Sequence, residues 1–235
     1  MFHINFYSRF FNLNTDTFFL KIQRALNPLN KSSSPTETDQ SDDEVTELYG
    51  FIWITGTLIF LMFVSSTGSN LLSEWLHSDK KHKYEYNFDL LTKSISLFYG
   101  YNILFPLAFY LGTSYVVKFP ERISLTKLIS IFGYTNVLWF PITIINFLIV
   151  IFVSNKSHHL ILNVLEWVIV LASGLVTGLS NISKVSPIVM KNCLLLNDGN
   201  SSASNKLHLV VLGVMAAAHL VFTISVKAIF FGIVV

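Results

Sequence analysis

Five stretches of this chain are apolar over about the 20 residues a helix needs to cross a bilayer. They run from about Tyr49 to Thr67, Ser94 to Val117, Thr126 to Val153, His159 to Ser180 and Leu207 to Val235. Each is bounded by polar or charged residues, and the short SNKSHH gap at 154–159 joins the third and fourth as an antiparallel hairpin. Such a chain is expected to be an all-α, polytopic membrane protein with five transmembrane helices. Only 13% of its 235 residues are charged, against about 25% in a soluble domain. A formal net charge of +2 suggests no nucleic-acid partner.

Orientation follows from the lysines and arginines of the connecting segments. Arg9, Lys21, Arg24, Lys31, Lys118, Arg122, Lys127, Lys184, Lys191 and Lys206 fall on one side. Lys80, Lys81, Lys83, Lys93 and Lys156 fall on the other. That bias predicts a cytosolic amino terminus and a luminal carboxyl terminus. Residues 48–235 form the membrane domain and residues 1–47 a cytosolic tail. In the tail, Phe2, Phe6 and Phe10, then Phe18, Phe19, Ile22 and Leu26, repeat at helical spacing with Lys21 and Arg24 between them. This suits short amphipathic helices on a membrane surface, or equally a disordered tail with scattered aromatics. Residues 31–47 read as an acidic disordered linker, with Ser41 a candidate for an acid-directed kinase. The start of the chain lacks the continuous apolar core of a signal peptide.

Within the spans two segments look alike, FYGYNILFP at 98–106 and IFGYTNVLWFP at 131–141. Each has Gly-Tyr, an Asn and a Pro: Gly100, Tyr101, Asn102 and Pro106; Gly133, Tyr134, Asn136 and Pro141. Proline removes a donor and frees the carbonyl four residues back, here Asn102 and Val137. The prediction is two kinked helices packed through glycine, or a hinge or partner groove. Asn102 and Asn136 would bond the freed backbone or a neighbouring helix. Gly174 and Gly178 in the fourth span, and Gly213, Ala217 and Ala218 in the fifth, form small-residue faces expected to pack together. Glu166 and Lys227 should lie at similar depth near the luminal side and are expected to approach each other, because charges at depth pair. The alternative has Lys227 reaching to the surface. His219, nearer the midplane, is expected to be a hydrogen-bonded packing residue.

Motifs of known chemistry are missing: there is no HExxH, CxxC, GxSxG or phosphate-binding glycine loop. His158-His159 and the loop group Glu74, His77, Asp79 and His82 suggest solvated loops rather than a metal site. No metal, cofactor or enzymatic activity is expected. Cys193, the single cysteine, excludes an intramolecular disulfide; it is either inert or a palmitoylation site.

The entrance to the first span, ELYGFIWI, resembles the Asp-Leu-Tyr-Gly-Pro-aromatic-Trp signature of the Yip family, the Ypt/Rab-GTPase-interacting Golgi membrane proteins. Leu48, Tyr49, Gly50 and Trp53 match, while Glu47 replaces Asp and Phe51 replaces Pro. Gly133, Tyr134 and Pro141 are similar to that family's Tyr-Gly-Tyr-Ser…Pro helix, and HLVFTISVKAIFF looks like its last helix. The resemblance covers about residues 46–235 and leans to the Leu-Tyr-Gly-Pro-entrance branch. It implies five spans, a Golgi membrane location, and binding to prenylated Ypt/Rab GTPases and other family members. The role it implies is vesicle-mediated transport between endoplasmic reticulum and Golgi, or within the Golgi system. The rival readings are a small transporter or channel using broken helices with Glu166, His219 and Lys227, and a bilayer-shaping protein.

Overall fold

The computed structural model describes residues 8, 10–27, 47–77, 88–152 and 159–230. Most of the acidic linker with Ser41, Phe2 and Phe6, His82, and residues 153–158 lie outside the described residues, as do the side chains of Glu74, His77 and His159. Among the described residues every regular element is a helix. In chain order they are α1 (Thr15–Leu26), α2 (Tyr49–His77), α3 (Phe88–Leu111), α4 (Leu125–Thr135), α5 (Phe140–Phe152), α6 (His159–Leu196) and α7 (Ser201–Phe230). A π-helical turn, Gly112–Val116, ends α3, and a 3-10 turn, Asn136–Trp139, joins α4 to α5.

Among the described residues four helical stretches are long and apolar enough to cross a membrane: Phe88–Val116, Leu125–Ile145, Asn163–Leu196 and Ser201–Phe230. In α2 the qualifying apolar stretch, Tyr49–Ser65, is shorter. Yet α2 runs the length of the bundle. Its first turn packs on Tyr134 of α4; near its middle, Phe63 stacks on Phe88 at 5.8 Å, at the start of α3. Ser65 then donates to the Thr143 carbonyl of α5 at 3.3 Å.

The helices differ from the sequence expectation at three places. First, α6 does not stop near Ser180 but continues to Leu196, through Pro187. The polar residues that suggested a loop are bonded: Asn181 accepts from Thr135 at 2.8 Å and the Asn192 amide donates to the Ile188 carbonyl at 3.1 Å. The remaining turn is tight. Asp198 and Gly199 adopt left-handed backbone, with φ 48 and 79, and the Gly199 amide closes on the Leu194 carbonyl at 2.9 Å, as helix ends do. Asn200 then caps α7 by accepting from Ser202 and Ala203.

Second, the two proline segments are not alike. Helix α3 runs unbroken through Pro106. The other segment breaks ahead of its proline, and Pro141 is the second residue of α5, where a missing N–H costs nothing. The carbonyl of Val137 accepts from the Phe140 amide, so the backbone group that proline frees is satisfied by the 3-10 turn itself.

Third, α1 belongs to the packed body. Phe18 and Ile22 pack with buried Ala25, Ile54 and Tyr134, and the Ser180 hydroxyl of α6 donates to the Ala25 carbonyl at 3.0 Å. The boundary drawn at residue 47 separates compositions, not packing units. Two larger clusters fill the bundle. One surrounds Phe98, Trp139 and Phe222; the other joins Phe109, Phe119 and Phe132 to Val185, Val189, Cys193 and Met215. Cys193 is 0% exposed there, which leaves no accessible thiol for a lipid modification.

Candidate functional site

Glu47 organises one end of the bundle. It lies two residues before Tyr49, the first residue of α2, and it is only 3% exposed. One carboxylate oxygen accepts from the Tyr49 amide at 2.8 Å. That is the first of the amides a helix leaves unpaired, and an anion there is favoured by the helix dipole. The other oxygen accepts from the Tyr134 hydroxyl of α4 at 2.6 Å and from Lys21 of α1 at 3.0 Å. The Leu48 amide donates to the Phe10 carbonyl at 2.8 Å. Glutamate in place of aspartate thus serves as the start of α2 and as a tie to two other helices. Phe51, in the proline position of the signature, falls in the first turn of α2 and packs edge-on against Tyr99 at 5.4 Å.

The two glycines of the signatures face each other's helices. A Cβ on Gly133 would run into the Phe51 Cα, and one on Gly50 would lie 2.5 Å from the Tyr134 ring. Glycine is what lets the entrance of α2 and the end of α4 come this close. The segment around Gly133 and Tyr134 is therefore filled by α2 and leaves no open groove. Trp53, the last signature residue, is 58% exposed; its ring lies 6.1 Å from that of Tyr49.

One to two turns further in, three spans share a buried threonine. Thr55 of α2 is 0% exposed and its hydroxyl accepts from the Asn136 amide at 2.9 Å and from the Asn102 amide at 3.5 Å. The two asparagines of the look-alike segments thus meet at one atom. Gly100, by contrast, has no atom within 4 Å of where a Cβ would sit, so it permits no close approach.

Helices α6 and α7 pack along much of their length. A Cβ on Gly174 would meet Thr223, and one on Gly178 would meet His219. Gly213 has nothing within 4 Å and Ala217 is exposed, so that half of the expected small-residue contact is not made. Its place is taken by His219 and Thr223. The His219 ring is 6% exposed. Its Nε2 faces the Gly174 carbonyl at 2.9 Å and therefore donates; its Nδ1 lies 2.9 Å from the Tyr101 hydroxyl of α3 and accepts in the neutral ring. Towards the Phe88 end, Lys227 donates to Glu166 at 2.9 Å with both side chains buried. The ammonium also lies 5.6 Å from the centre of the Trp167 ring. Beside Gly174 and Gly178, the outer side of this helix pair carries an open apolar groove of about 430 Å³, lined among others by Leu175, Ala217 and Leu220.

Thr55, Lys21 and the Thr135–Asn181 pair carry much of this arrangement and have no signal in the sequence. A threonine in an apolar helix is ordinary, and Lys21 read as the polar face of a surface helix.

No family model matches the chain, and no solved structure matches it. Among curated proteins it is 30% identical over 153 residues to Protein YIP5 of Saccharomyces cerevisiae, covering 60% of this chain and 46% of that protein. It is 22% identical over 231 residues to the YIPF1 homolog of Dictyostelium discoideum, covering 98% of this chain and 56% of that protein. The chain thus spans about half the length of these relatives.

Proposed function

The chain belongs to the Yip family, and on that premise we propose that it is a non-enzymatic, five-span Golgi membrane protein that binds prenylated Ypt/Rab GTPases in vesicle-mediated transport. Its amino terminus is cytosolic, its carboxyl terminus luminal, and it belongs to the Leu-Tyr-Gly-Pro-entrance branch. The observation that carries the reading is the contact between the two signatures. Glu47, Gly50, Gly133 and Tyr134 come from segments 87 residues apart and form one knot. Gly50, Gly133 and Tyr134, which match the family signatures, and Glu47, which stands for the signature's Asp, thus build the end of the bundle that the lysine and arginine bias turns to the cytosol. The fifth span is α2, whose 29 residues amount to about 43 Å of helix.

The prenyl chain of the GTPase lies in the α6–α7 groove rather than beside Gly133, where α2 fills the space. An apolar, lipid-facing groove of this size suits a single hydrocarbon ligand. Proteoliposomes test the proposal. They should capture a prenylated Ypt/Rab GTPase above the level of protein-free liposomes and fail to capture the unprenylated form. Leu175→Trp and Leu220→Trp, which fill the groove from its exposed rim, should lower capture without lowering thermal stability. Capture no better than that of protein-free liposomes contradicts the proposal. Solute flux through the proteoliposomes would favour a transporter built on Glu166, His219 and Lys227.

A further inference from the structure

Helix α1 has more apolar surface than its seat on the bundle covers. Phe18, Ile22 and Ala25 point inward, onto Tyr49, Ile54 and Tyr134. Phe19 and Leu26 do not: they are 62% and 48% exposed. These two residues are seven apart, which places them on one line along the helix to within about 20°. At about 100° per residue the line lies on one flank of the docked stripe, beside Ile22. Asp16 and Gln23 follow further round, both exposed. The apolar arc from Ala25 to Phe19 is therefore continuous, half against protein and half open; it gives way to Gln23 and Asp16 on one edge, with exposed Leu20 set apart beyond them.

The open half is contiguous with the lipid-facing wall. Phe19 packs edge-on against Phe18 at 5.8 Å, Phe18 against Tyr49 at 5.5 Å, and Tyr49 lies 6.1 Å from exposed Trp53. This aromatic row leads from the open edge of α1 to the first turns of a membrane helix, the level at which tryptophan and tyrosine mark the boundary of the hydrocarbon. The helix cannot roll to hide the flank, because Lys21 is held by Glu47 and the Ala25 carbonyl by Ser180.

We propose that α1 is an interfacial wedge, with Phe19 and Leu26 inserted into the headgroup–acyl boundary of the leaflet at the Tyr49 end of α2. Its partner is the phospholipid itself, and the Lys21–Glu47 contact sets the roll of the helix against it. The wedge occupies area in one leaflet only, beside the bundle that crosses both.

Single-cysteine labelling tests this in the full chain, since Cys193 is buried and the four sites are exposed. Phe19→Cys, Leu26→Cys, Asp16→Cys and Gln23→Cys are each labelled with a polarity-sensitive fluorophore in phosphatidylcholine nanodiscs. The same samples are prepared with lipid carrying a shallow nitroxide quencher. Labels at 19 and 26 should emit to the blue and be quenched at least about twofold more than labels at 16 and 23, as insertion of about 5–10 Å requires. Equal quenching at all four sites, or water-like emission at 19 and 26, overturns the wedge and leaves the flank open to a soluble partner.

Discussion

The hydroxyl of Tyr134 donates to the carboxylate of Glu47 at 2.6 Å, across 87 residues of sequence. The bond fastens the entrance of α2 to the last turn of α4, and the same carboxylate holds Lys21 of α1 and the first amide of α2. The start of α2 and its ties to two other helices depend on one buried anion.

Glu47→Ala removes all of those acceptors at once and leaves Tyr134 and Lys21 without their partner. Hydrogen bonds to a charged group contribute about 1.5–3 kcal/mol each, with Lys21 discounted because its side chain is 31% exposed. The expected loss is about 3–4 kcal/mol, against about half that for Glu47→Gln, which keeps an acceptor for Tyr134. Thermal unfolding in detergent micelles checks the order of the two variants.

The glycines of the knot separate by what they touch. Gly133→Ala drives a methyl into the backbone of α2 at the Phe51 Cα, whereas Gly50→Ala meets the Tyr134 ring, a side chain that can move aside only by disturbing its bond to Glu47. Overpacking against backbone costs about 1–3 kcal/mol or more, while alanine gains about 1 kcal/mol of helix propensity over glycine. Both are therefore expected to destabilise, and Gly133→Ala the more, because a backbone cannot yield as a side chain can. Denaturant titration of both in the same micelle gives the comparison.

At the other end, Glu166 and Lys227 pair at 2.9 Å with both side chains buried. Removing one charge strands its partner, which costs about 3–5 kcal/mol in buried sites. Glu166→Gln and Lys227→Met should each lower stability, and the double variant should be more stable than the sum of the singles requires. A double-mutant cycle measures the coupling; additivity would mean that the ammonium has found water instead.

Thr55→Val keeps the shape of the central residue and deletes its oxygen. Asn136 and Asn102 then lose a shared acceptor. Polar contacts between membrane helices are worth about 0.6–1.7 kcal/mol, so a loss of about 1–2 kcal/mol is expected, and Thr55→Ser should retain most of the stability. Equal losses for valine and serine would place the effect in packing rather than in the hydrogen bond.

The hydrophobic runs were legible because a bilayer-length apolar segment is a long, strong pattern. The pairing of Glu166 with Lys227 was legible for a similar reason: an intramembrane charge is costly, so two at equal depth meet. The ends of α6 and α7 were not, because Ser180, Asn181 and Asn192 look like a loop until their bonding partners are known. The docking of α1 was hidden too. Its inner and outer apolar edges share Ile22, so the pattern reads as one surface-seeking stripe. Gly213 shows the opposite error: the small residue is present, and nothing approaches it.

The account rests on α2 crossing the bilayer, which would make the number of crossings odd. Cysteines at Gln23, Asp89 and Asp198, all exposed, report on it when sealed vesicles are treated with a membrane-impermeant thiol reagent. Positions 23 and 198 should react from the same side while position 89 is protected until the vesicles are opened. Reaction of position 89 together with position 23 in sealed vesicles would contradict it.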